Sequence, residues 1–230
     1  MTARPRITLV HATPIAMGPI RDAMAANWAE AEPVNILEDS LSPDRAKVDS
    51  INDALTDRIV SLTRYAESIG SAAVLFTCSA FSSAIELAAS LASVPVLKPN
   101  EAMFEAAIRQ GGRTAMLYTF PPARAGMEQE FREEADRINP SATLTSFLVE
   151  GAIDAVRADD VATHNRLVAE AATRIEGFDA ITLAHFSTAR ARSAVEAKTT
   201  TPVLTSPDAA VAKLRFLLGA GATTSHHARR

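Results

Sequence analysis

The sequence repeats itself at one fixed shift, the separation between Cys78 and His185, and this repeat restricts the fold more than any other feature of the chain. The segments Pro95-Val96-Leu97 and Pro202-Val203-Leu204 are separated by the same shift. Three further pairs keep this separation: Pro14 with Pro121, Gly70 with Gly177, and Glu101 with Asp208. The register is lost only around the second and sixth predicted strands, where we expect insertions in loops. A repeat of nearly half the chain predicts two halves with the same fold.

Short apolar segments of β character alternate with longer segments of helical periodicity. In the clearest helical segment, apolar residues from Val48 to Ile69 recur every three or four positions, and Ser42-Pro43 provides signals for its start. The eight predicted strands are 7–13, 34–37, 72–77, 94–97, 114–119, 143–149, 179–184 and 202–204. Strands that alternate with helices must be parallel and joined by right-handed crossovers. We therefore predict an α/β fold with two pseudo-symmetric halves, each a parallel four-stranded sheet flanked by helices, and a cleft between them.

The repeat also sets the expected boundaries. The first half is predicted to span residues 5–110 and the second 112–218, with Gly111-Gly112 as the joint. Residues 219–230 are predicted to form a flexible tail, and its histidines, His226 and His227, are given no role. The chain has neither a phosphate-binding loop nor a dinucleotide fingerprint, and its His, Asp and Glu residues lack the spacing of metal ligands. We therefore expect no cofactor and no metal.

Composition excludes several classes of function. The 230 residues include 23 Lys and Arg against 27 Asp and Glu, a formal charge of −4, so no basic surface is expected for nucleic acid or an anionic membrane. Cys78 is the only cysteine, which rules out an intramolecular disulfide and is consistent with a reducing compartment. No apolar run reaches the roughly 18 residues of a membrane span. The sequence thus predicts a cytoplasmic protein, and a homo-oligomer is expected only because dimers are common.

Ligands of parallel α/β folds bind beyond the carboxyl ends of the strands, so a functional site is expected there. The shift makes Cys78 and His185 equivalent, one after the third strand of each half. Two proton-transfer groups would then face one bound molecule from opposite sides. The other residues at these ends are Thr13, Pro14, Ser79, Ala80, Phe120, Phe186 and Ser187.

A helix is expected to begin directly after Cys78 and after His185, over residues 79–91 and 187–197. The free N–H groups and positive dipole end of such helices favour a bound carboxylate, which predicts a small anionic substrate. The same dipole is expected to lower the pKa of the Cys78 thiol from about 8.5 toward neutrality. Enough thiolate would then be present for Cys78 to act as a base.

Two runs of residues carry a resemblance to a known family: Val74-Leu75-Phe76-Thr77-Cys78-Ser79-Ala80 and Ile181-Thr182-Leu183-Ala184-His185. With the Thr13-Pro14 turn and the paired Pro-Val-Leu segments, they resemble the aspartate/glutamate racemase superfamily, whose relatives include hydantoin racemase, maleate isomerase and arylmalonate decarboxylase. The resemblance spans residues 5–218 and implies a cofactor-free enzyme in which two cysteines, one per half, remove and return a proton beside a carboxylate. Cys78 matches the first cysteine. The family's carboxylate-holding positions are occupied by Thr13, Pro14, Ser79, Ala80, Phe186 and Ser187.

The sequence departs from that pattern in three places. His185 occupies the position of the second cysteine, and Ser79-Ala80 replaces the Asn-Thr pair of glutamate racemases. Their strand-one aspartate is also absent from His11-Ala12-Thr13-Pro14. Glutamate itself is therefore not the expected substrate. A histidine can still exchange a proton near neutral pH, because its ordinary pKa is about 6.5.

Several functions remain open at this point. The leading one is a cofactor-independent racemase or epimerase of a small amino acid or carboxylate, in which Cys78 thiolate takes the α-proton and protonated His185 supplies another to the opposite face. The second is a decarboxylase or lyase of the arylmalonate type, with Cys78 as the sole proton donor. The third is a non-catalytic protein that binds a small molecule. A Cys–His hydrolase ranks last, because groups on opposite sides of a substrate are too far apart to hydrogen bond.

Some of these residues also have purely structural interpretations. Thr13, Ser79 and Ser187 are residue types that often cap helices. His11 is interpreted as structural, and His164 as a solvated residue on a polar helix face. A lone cysteine is most often a small buried apolar residue.

Overall fold

The computed structural model describes residues 4–224 and contains two four-stranded parallel sheets, as the sequence predicts. The first has the order β2-β1-β3-β4 and the second the order β6-β5-β7-β8. The strands are β1 (Arg6–His11), β2 (Glu32–Leu37), β3 (Ala73–Phe76), β4 (Val96–Leu97), β5 (Arg113–Tyr118), β6 (Thr143–Leu148), β7 (Ala180–Leu183) and β8 (Val203–Thr205). The two halves therefore share one topology.

Strand register confirms the repeat residue by residue. Ile7 of β1 lies opposite Ala73 of β3, and the residues one repeat further along the chain, Thr114 of β5 and Ala180 of β7, also lie opposite each other. The repeat loses its register at β2 and β6, as expected. Arg6 and Arg113 are one repeat apart, but their partners Glu32 and Thr143 are not. The insertion that separates them is taken up in loops.

Helices and short 3-10 turns fill the connections. The helices are α1 (Met17–Asn27), α2 (Leu41–Arg45), α3 (Asp53–Ser68), α4 (Ser82–Leu91), α5 (Glu101–Gln110), α6 (Arg124–Ile138), α7 (Ala152–Arg157), α8 (Val161–Ala172), α9 (Arg192–Glu196) and α10 (Ser206–Thr224). We name four 3-10 turns after the residue that precedes each: the Thr13 turn (Pro14–Ala16), the Cys78 turn (Ser79–Phe81), the Phe120 turn (Pro121–Ala123) and the His185 turn (Phe186–Ala191). None of the described helices is long and apolar enough to cross a membrane.

Two predicted helix boundaries are wrong. Ser42-Pro43 lies inside the short separate helix α2, and α3 starts later, where the Asn52 side chain accepts a hydrogen bond from the Leu55 amide at 3.0 Å. An N-cap side chain outweighs the apolar period here, because it satisfies an otherwise free helical N–H. At the other end of the chain, α10 continues to Thr224, past the predicted start of the tail at Gly219. Residues 225–230, with His226 and His227, lie outside the described residues.

The last helix of each half packs on the sheet of the other. Ile7 and Leu75 of the first sheet share a core cluster with Leu214 of α10. Phe104 of α5 instead packs with Met116 of the second sheet. In space, α10 therefore belongs with the first sheet and α5 with the second, whereas the predicted ranges 5–110 and 112–218 assign them the other way round.

Gly111 lies at the joint between the halves, directly after α5. A Cβ atom at this position would lie 2.6 Å from the Cβ of Asp179, which leaves room only for glycine. The neighbouring Gly112 has a φ of +94°, a conformation that glycine adopts at little cost. The two glycines thus allow a tight passage from α5 into β5.

Candidate active site

Turns at the carboxyl ends of the two sheets contact elements of the other half. The Thr13 turn of the first half contacts the His185 turn of the second, and the Cys78 turn contacts α6 of the second half. Arg190 in the His185 turn donates from Nη2 to the Ile15 carbonyl in the Thr13 turn, at 3.3 Å. The Thr13 turn and the His185 turn therefore lie together, and the Cys78 turn lies against α6.

Cys78 lies two residues past the end of the buried strand β3 and packs against the apolar cluster of α3 and α4. The thiol is half-buried. Burial raises the pKa of the Cys78 thiol, while the backbone amide of Ala80 and the charge of Arg45 act to lower it. The expectation of a thiol pKa near neutrality is therefore wrong, because the loss of thiolate hydration outweighs the stabilisation of the thiolate by the Ala80 amide and by Arg45.

Arg45 is a site residue that the sequence reasoning missed. Its Nε donates to the Ala80 carbonyl in the Cys78 turn at 3.2 Å, and its Nη1 donates to the Val48 carbonyl at 2.7 Å. It is the last residue of α2, in the connection that leaves the carboxyl end of β2. The strand-end rule applied to the second strand of each half would have pointed to it, but only the first and third strands were considered.

His185 lies two residues past the end of β7 and has an unusual backbone, with a φ of +69° and a ψ of 140°. Its ring nitrogen Nε2 is buried, and no residue within 4–224 hydrogen bonds to it. Burial lowers the pKa of His185 to about 4. The ring is therefore uncharged at neutral pH, and one of its two nitrogens carries no hydrogen and can accept a proton.

The protonation states of the two groups reverse the expected roles. At neutral pH Cys78 is a thiol, because its pKa is raised, and His185 is a neutral imidazole, because its pKa is lowered. A thiol can donate a proton, and a neutral imidazole can accept one. The candidate site thus holds a protonated thiol on the first half and an uncharged imidazole on the second.

The predicted carboxylate-binding residues of the first half begin the 3-10 turns. Thr13 caps its turn, since its Oγ1 accepts the Ile15 amide at 3.2 Å. Pro14 is exposed, and Ser79 and Ala80 are half-buried in the Cys78 turn. No long helix starts at Ser79 as predicted, because α4 begins only at Ser82.

The aromatic residues predicted to line the site have different surroundings. Phe186 is buried in the first core cluster, so its side chain packs the interior rather than lining the site. Ser187 beside it is buried. Phe120 is half-buried, and the Arg157 guanidinium lies 5.9 Å from its ring centre. Arg157 ends α7, the counterpart of α2, so each half has an arginine at the same point.

The two other histidines of the described residues, His11 and His164, are buried. His11 hydrogen bonds on both ring nitrogens, consistent with its structural interpretation. His164, predicted to be solvated, is 1% exposed and lies on the core side of α8, where burial lowers its pKa. Within residues 4–224, no group of three or more His, Cys, Asp or Glu side chains is arranged to hold a metal ion.

Comparison with known proteins identifies the family. The model of the Asp/Glu/hydantoin racemase family matches residues 16–214, which includes the strand ends with Cys78 and His185. The chain belongs to this family. No curated protein matches it at a significant level.

Solved structures share the fold at low sequence identity. Glutamate racemase isoform RacE1 from Bacillus anthracis superposes with a TM-score of 0.74 and 12% identity, over 95% of this chain and 83% of that one. Allantoin racemase from Klebsiella pneumoniae gives a TM-score of 0.70 and 18% identity, over 94% and 89% of the two chains. A mutant of arylmalonate decarboxylase, associated with sulfate, gives 0.68 and 19%, over 94% of both. The two-sheet architecture is common to these proteins.

Proposed function

We propose that this family member is a cofactor-independent racemase or epimerase that inverts the α-carbon of a small carboxylate. The observation that carries the proposal is the position of His185, equivalent to Cys78, together with the lack of any hydrogen bond to its Nε2 from residues 4–224. An imidazole that is not held by a hydrogen bond at Nε2 can turn toward a bound substrate and exchange a proton with it. Family membership and the racemases among the structural relatives support the same chemistry.

The proton moves follow from the resting protonation states. Neutral His185 takes the α-proton on its unprotonated ring nitrogen and becomes imidazolium, and the Cα–H bonding pair stays on the substrate as an enediolate. The Cys78 Sγ–H then donates its proton to the opposite face and becomes thiolate. The resulting thiolate and imidazolium act on the opposite enantiomer in reverse, or return to their resting forms by exchange with water.

The negative charge on the substrate needs partners. Arg45 lies beside the Cys78 turn and Arg157 beside Phe120, one cation for each half. The turn amides after Cys78 and His185, with the hydroxyls of Ser79 and Ser187, are the proposed donors to the enediolate oxygens. The hydroxyl of Thr13 accepts a hydrogen bond as a cap and keeps its own hydrogen, which it can donate to the substrate.

Hydrogen exchange at the α-carbon tests the proposal directly. Amino acids and 2-aryl or 2-hydroxy carboxylates are incubated with the protein in heavy water, and we expect deuterium at the α-carbon of at least one. Cys78→Ser and His185→Gln should each lower exchange at least about 100-fold. His164→Gln is the matched control, because it removes another buried imidazole from the second half. Failure of every acid to exchange with folded protein would refute proton abstraction.

A cofactor-free decarboxylase is the second candidate, and the raised pKa of Cys78 favours it. Decarboxylation generates its own carbanion, so a thiol that stays protonated is the single group required. This function predicts carbon dioxide release from a disubstituted malonate. Activity should then survive His185→Gln but not Cys78→Ser, whereas the racemase loses activity in both. If neither reaction occurs and a carboxylate still binds saturably, the protein is a binding protein.

A further inference from the structure

A chain of hydrogen-bonded side chains reaches the residue that precedes Cys78. Its centre is His11, the last residue of β1, which is fully buried. The His11 Nε2 lies 2.9 Å from Asn35 Oδ1 on β2, and its Nδ1 lies 2.9 Å from Thr77 Oγ1, directly after β3. Three adjacent strands of the first sheet are thus linked by side chains near their carboxyl ends.

The hydrogens in this chain can be assigned from the donors and acceptors. Burial lowers the pKa of His11, so its ring is uncharged at neutral pH and carries one hydrogen. Asn35 Oδ1 is an acceptor, which places this hydrogen on Nε2 and leaves Nδ1 to accept the Thr77 hydroxyl hydrogen. The other acceptor near that hydroxyl, the Val10 carbonyl, is farther away at 3.3 Å. His11 therefore fixes the direction of the Thr77 side chain.

The second half shows that the fold does not require this arrangement. Tyr118 and Ala184 occupy the positions equivalent to His11 and Thr77, and both lie in an apolar cluster. Ala184 has no polar side-chain atom, yet β5 and β7 pair in the same register as β1 and β3. Burying polar groups costs free energy that apolar packing avoids. At the strand ends that carry Cys78 and His185, only the first half bears this cost, which points to a role for Cys78.

We propose that His11 is a positioning residue that orients Cys78 through Thr77. The inference rests on the proposed function, in which the Cys78 Sγ transfers a proton. Thr77 is bonded to Cys78, and its amide donates to the Val10 carbonyl at 3.0 Å, so a fixed Thr77 sets the direction in which Sγ leaves the strand. Proton transfer is sensitive to such direction, because a displacement of about 1 Å can cost about 100-fold in rate.

Isosteric substitution at Thr77 tests the kinetic part. Thr77→Val removes the hydroxyl and keeps the shape, and we expect kcat for α-proton exchange to fall about tenfold with KM within about twofold. Thr77→Ser restores the hydroxyl and should restore kcat. The matched control is Thr8→Val, because Thr8 Oγ1 bonds Ser71 Oγ at 2.6 Å near the opposite ends of the same strand pair. It should leave kcat unchanged.

Alkylation of Cys78 gives a second readout that needs no substrate. Cys78 is the only cysteine, so iodoacetamide reports on this thiol alone. Without the Thr77 hydroxyl the end of β3 is less firmly held and the Cys78 thiol becomes more exposed. In Thr77→Val the thiol should therefore be alkylated at least about threefold faster at pH 8, and in Thr8→Val at the wild-type rate. Asn35→Leu, on the exposed edge strand β2, removes the acceptor of the His11 Nε2 hydrogen. It should lower kcat and raise the alkylation rate as Thr77→Val does, and it keeps the test available if Thr77→Val does not fold.

Two results would overturn the inference. The first is wild-type kcat and alkylation rate in Thr77→Val or Asn35→Leu, and the second is the same changes in Thr8→Val. Absence of α-proton exchange in the wild type refutes the proposed function instead, and the alkylation series then still decides whether His11 and Thr77 orient the thiol.

Discussion

At the scale of single residues, the two halves treat equivalent positions differently. Cys78 has an ordinary extended backbone, with φ at −119° and ψ at 122°, whereas His185 has φ at +69°. Within residues 4–224, Asp159 is the only other residue besides glycine with a positive φ. Such a backbone costs about 1–3 kcal/mol and persists only where the surroundings hold it. The buried Phe186 and the Thr188 amide, which donates to the His185 carbonyl at 3.1 Å, hold it here.

The strain predicts an unusual order of stability. We expect His185→Gly to be more stable toward urea than His185→Ala by about 1 kcal/mol, because both remove the imidazole and only glycine tolerates the positive φ. At Cys78 the order should be normal, with the alanine variant more stable than the glycine variant. If the alanine variant is more stable than the glycine variant at both positions, the backbone of His185 is not strained.

At the scale of secondary-structure elements, α5 and α10 join the halves by crossing between them. The buried face of α5 packs on the second sheet, and the Phe104 and Phe131 rings meet edge to face with centres 5.5 Å apart. The buried face of α10, with Val211 and Leu214, packs on the first sheet. Each sheet therefore completes its core with a helix from the other half of the sequence.

This exchange predicts which residues of α10 support the first half. Leu214→Ala should lower the free energy of unfolding by about 2–5 kcal/mol, because it leaves a cavity beneath the first sheet. Phe216→Ala on the same helix removes a larger side chain that is 73% exposed and should change stability by less than about 0.5 kcal/mol. Chemical denaturation of the two variants compares the effects, and similar losses would contradict the packing.

At the scale of the whole molecule, a buried carboxyl group lies where the halves meet. Glu130 of α6 is 2% exposed, and neither oxygen has a hydrogen-bond partner within residues 4–224. Burial raises the pKa of Glu130 to about 8, although the charge of Lys98 from the first half opposes the shift. Lys98 Nζ itself pairs with Glu86 of the first half at 2.7 Å. Glu130 is therefore protonated at neutral pH.

Linkage gives the sign of the pH dependence. The unfolded chain releases the Glu130 proton near pH 4.5 and the folded protein only near pH 8, so this group lowers stability as pH rises between these values. Glu130→Gln should match the wild type near pH 4 and exceed its free energy of unfolding by up to about 3 kcal/mol at pH 7. Glu133→Gln, an exposed neighbour on α6, should change stability by less than about 0.5 kcal/mol at either pH. Equal stability of Glu130→Gln and wild type at pH 7 would contradict the burial of this charge.

The sequence by itself determined the α/β class, the two sheets and the equivalence of Cys78 with His185. These follow from hydrophobic periodicity and from a repeat that fixes strand order, both of which act along the chain. The start of α3 was missed because the cap at Asn52 outweighs the apolar period. The aromatic Phe186 was assigned to the site because its position, and not its packing, is visible in the sequence.

Only the tertiary structure decided the protonation states of Cys78 and His185 and the exchange of α5 and α10 between the halves. The pKa of Cys78 is raised and that of His185 is lowered because each group is withdrawn from water by distant parts of the chain. Arg45 approaches the thiol because its loop folds over the Cys78 turn. Desolvation and charge depend on what surrounds an atom in space, and a repeat along the chain does not specify those neighbours.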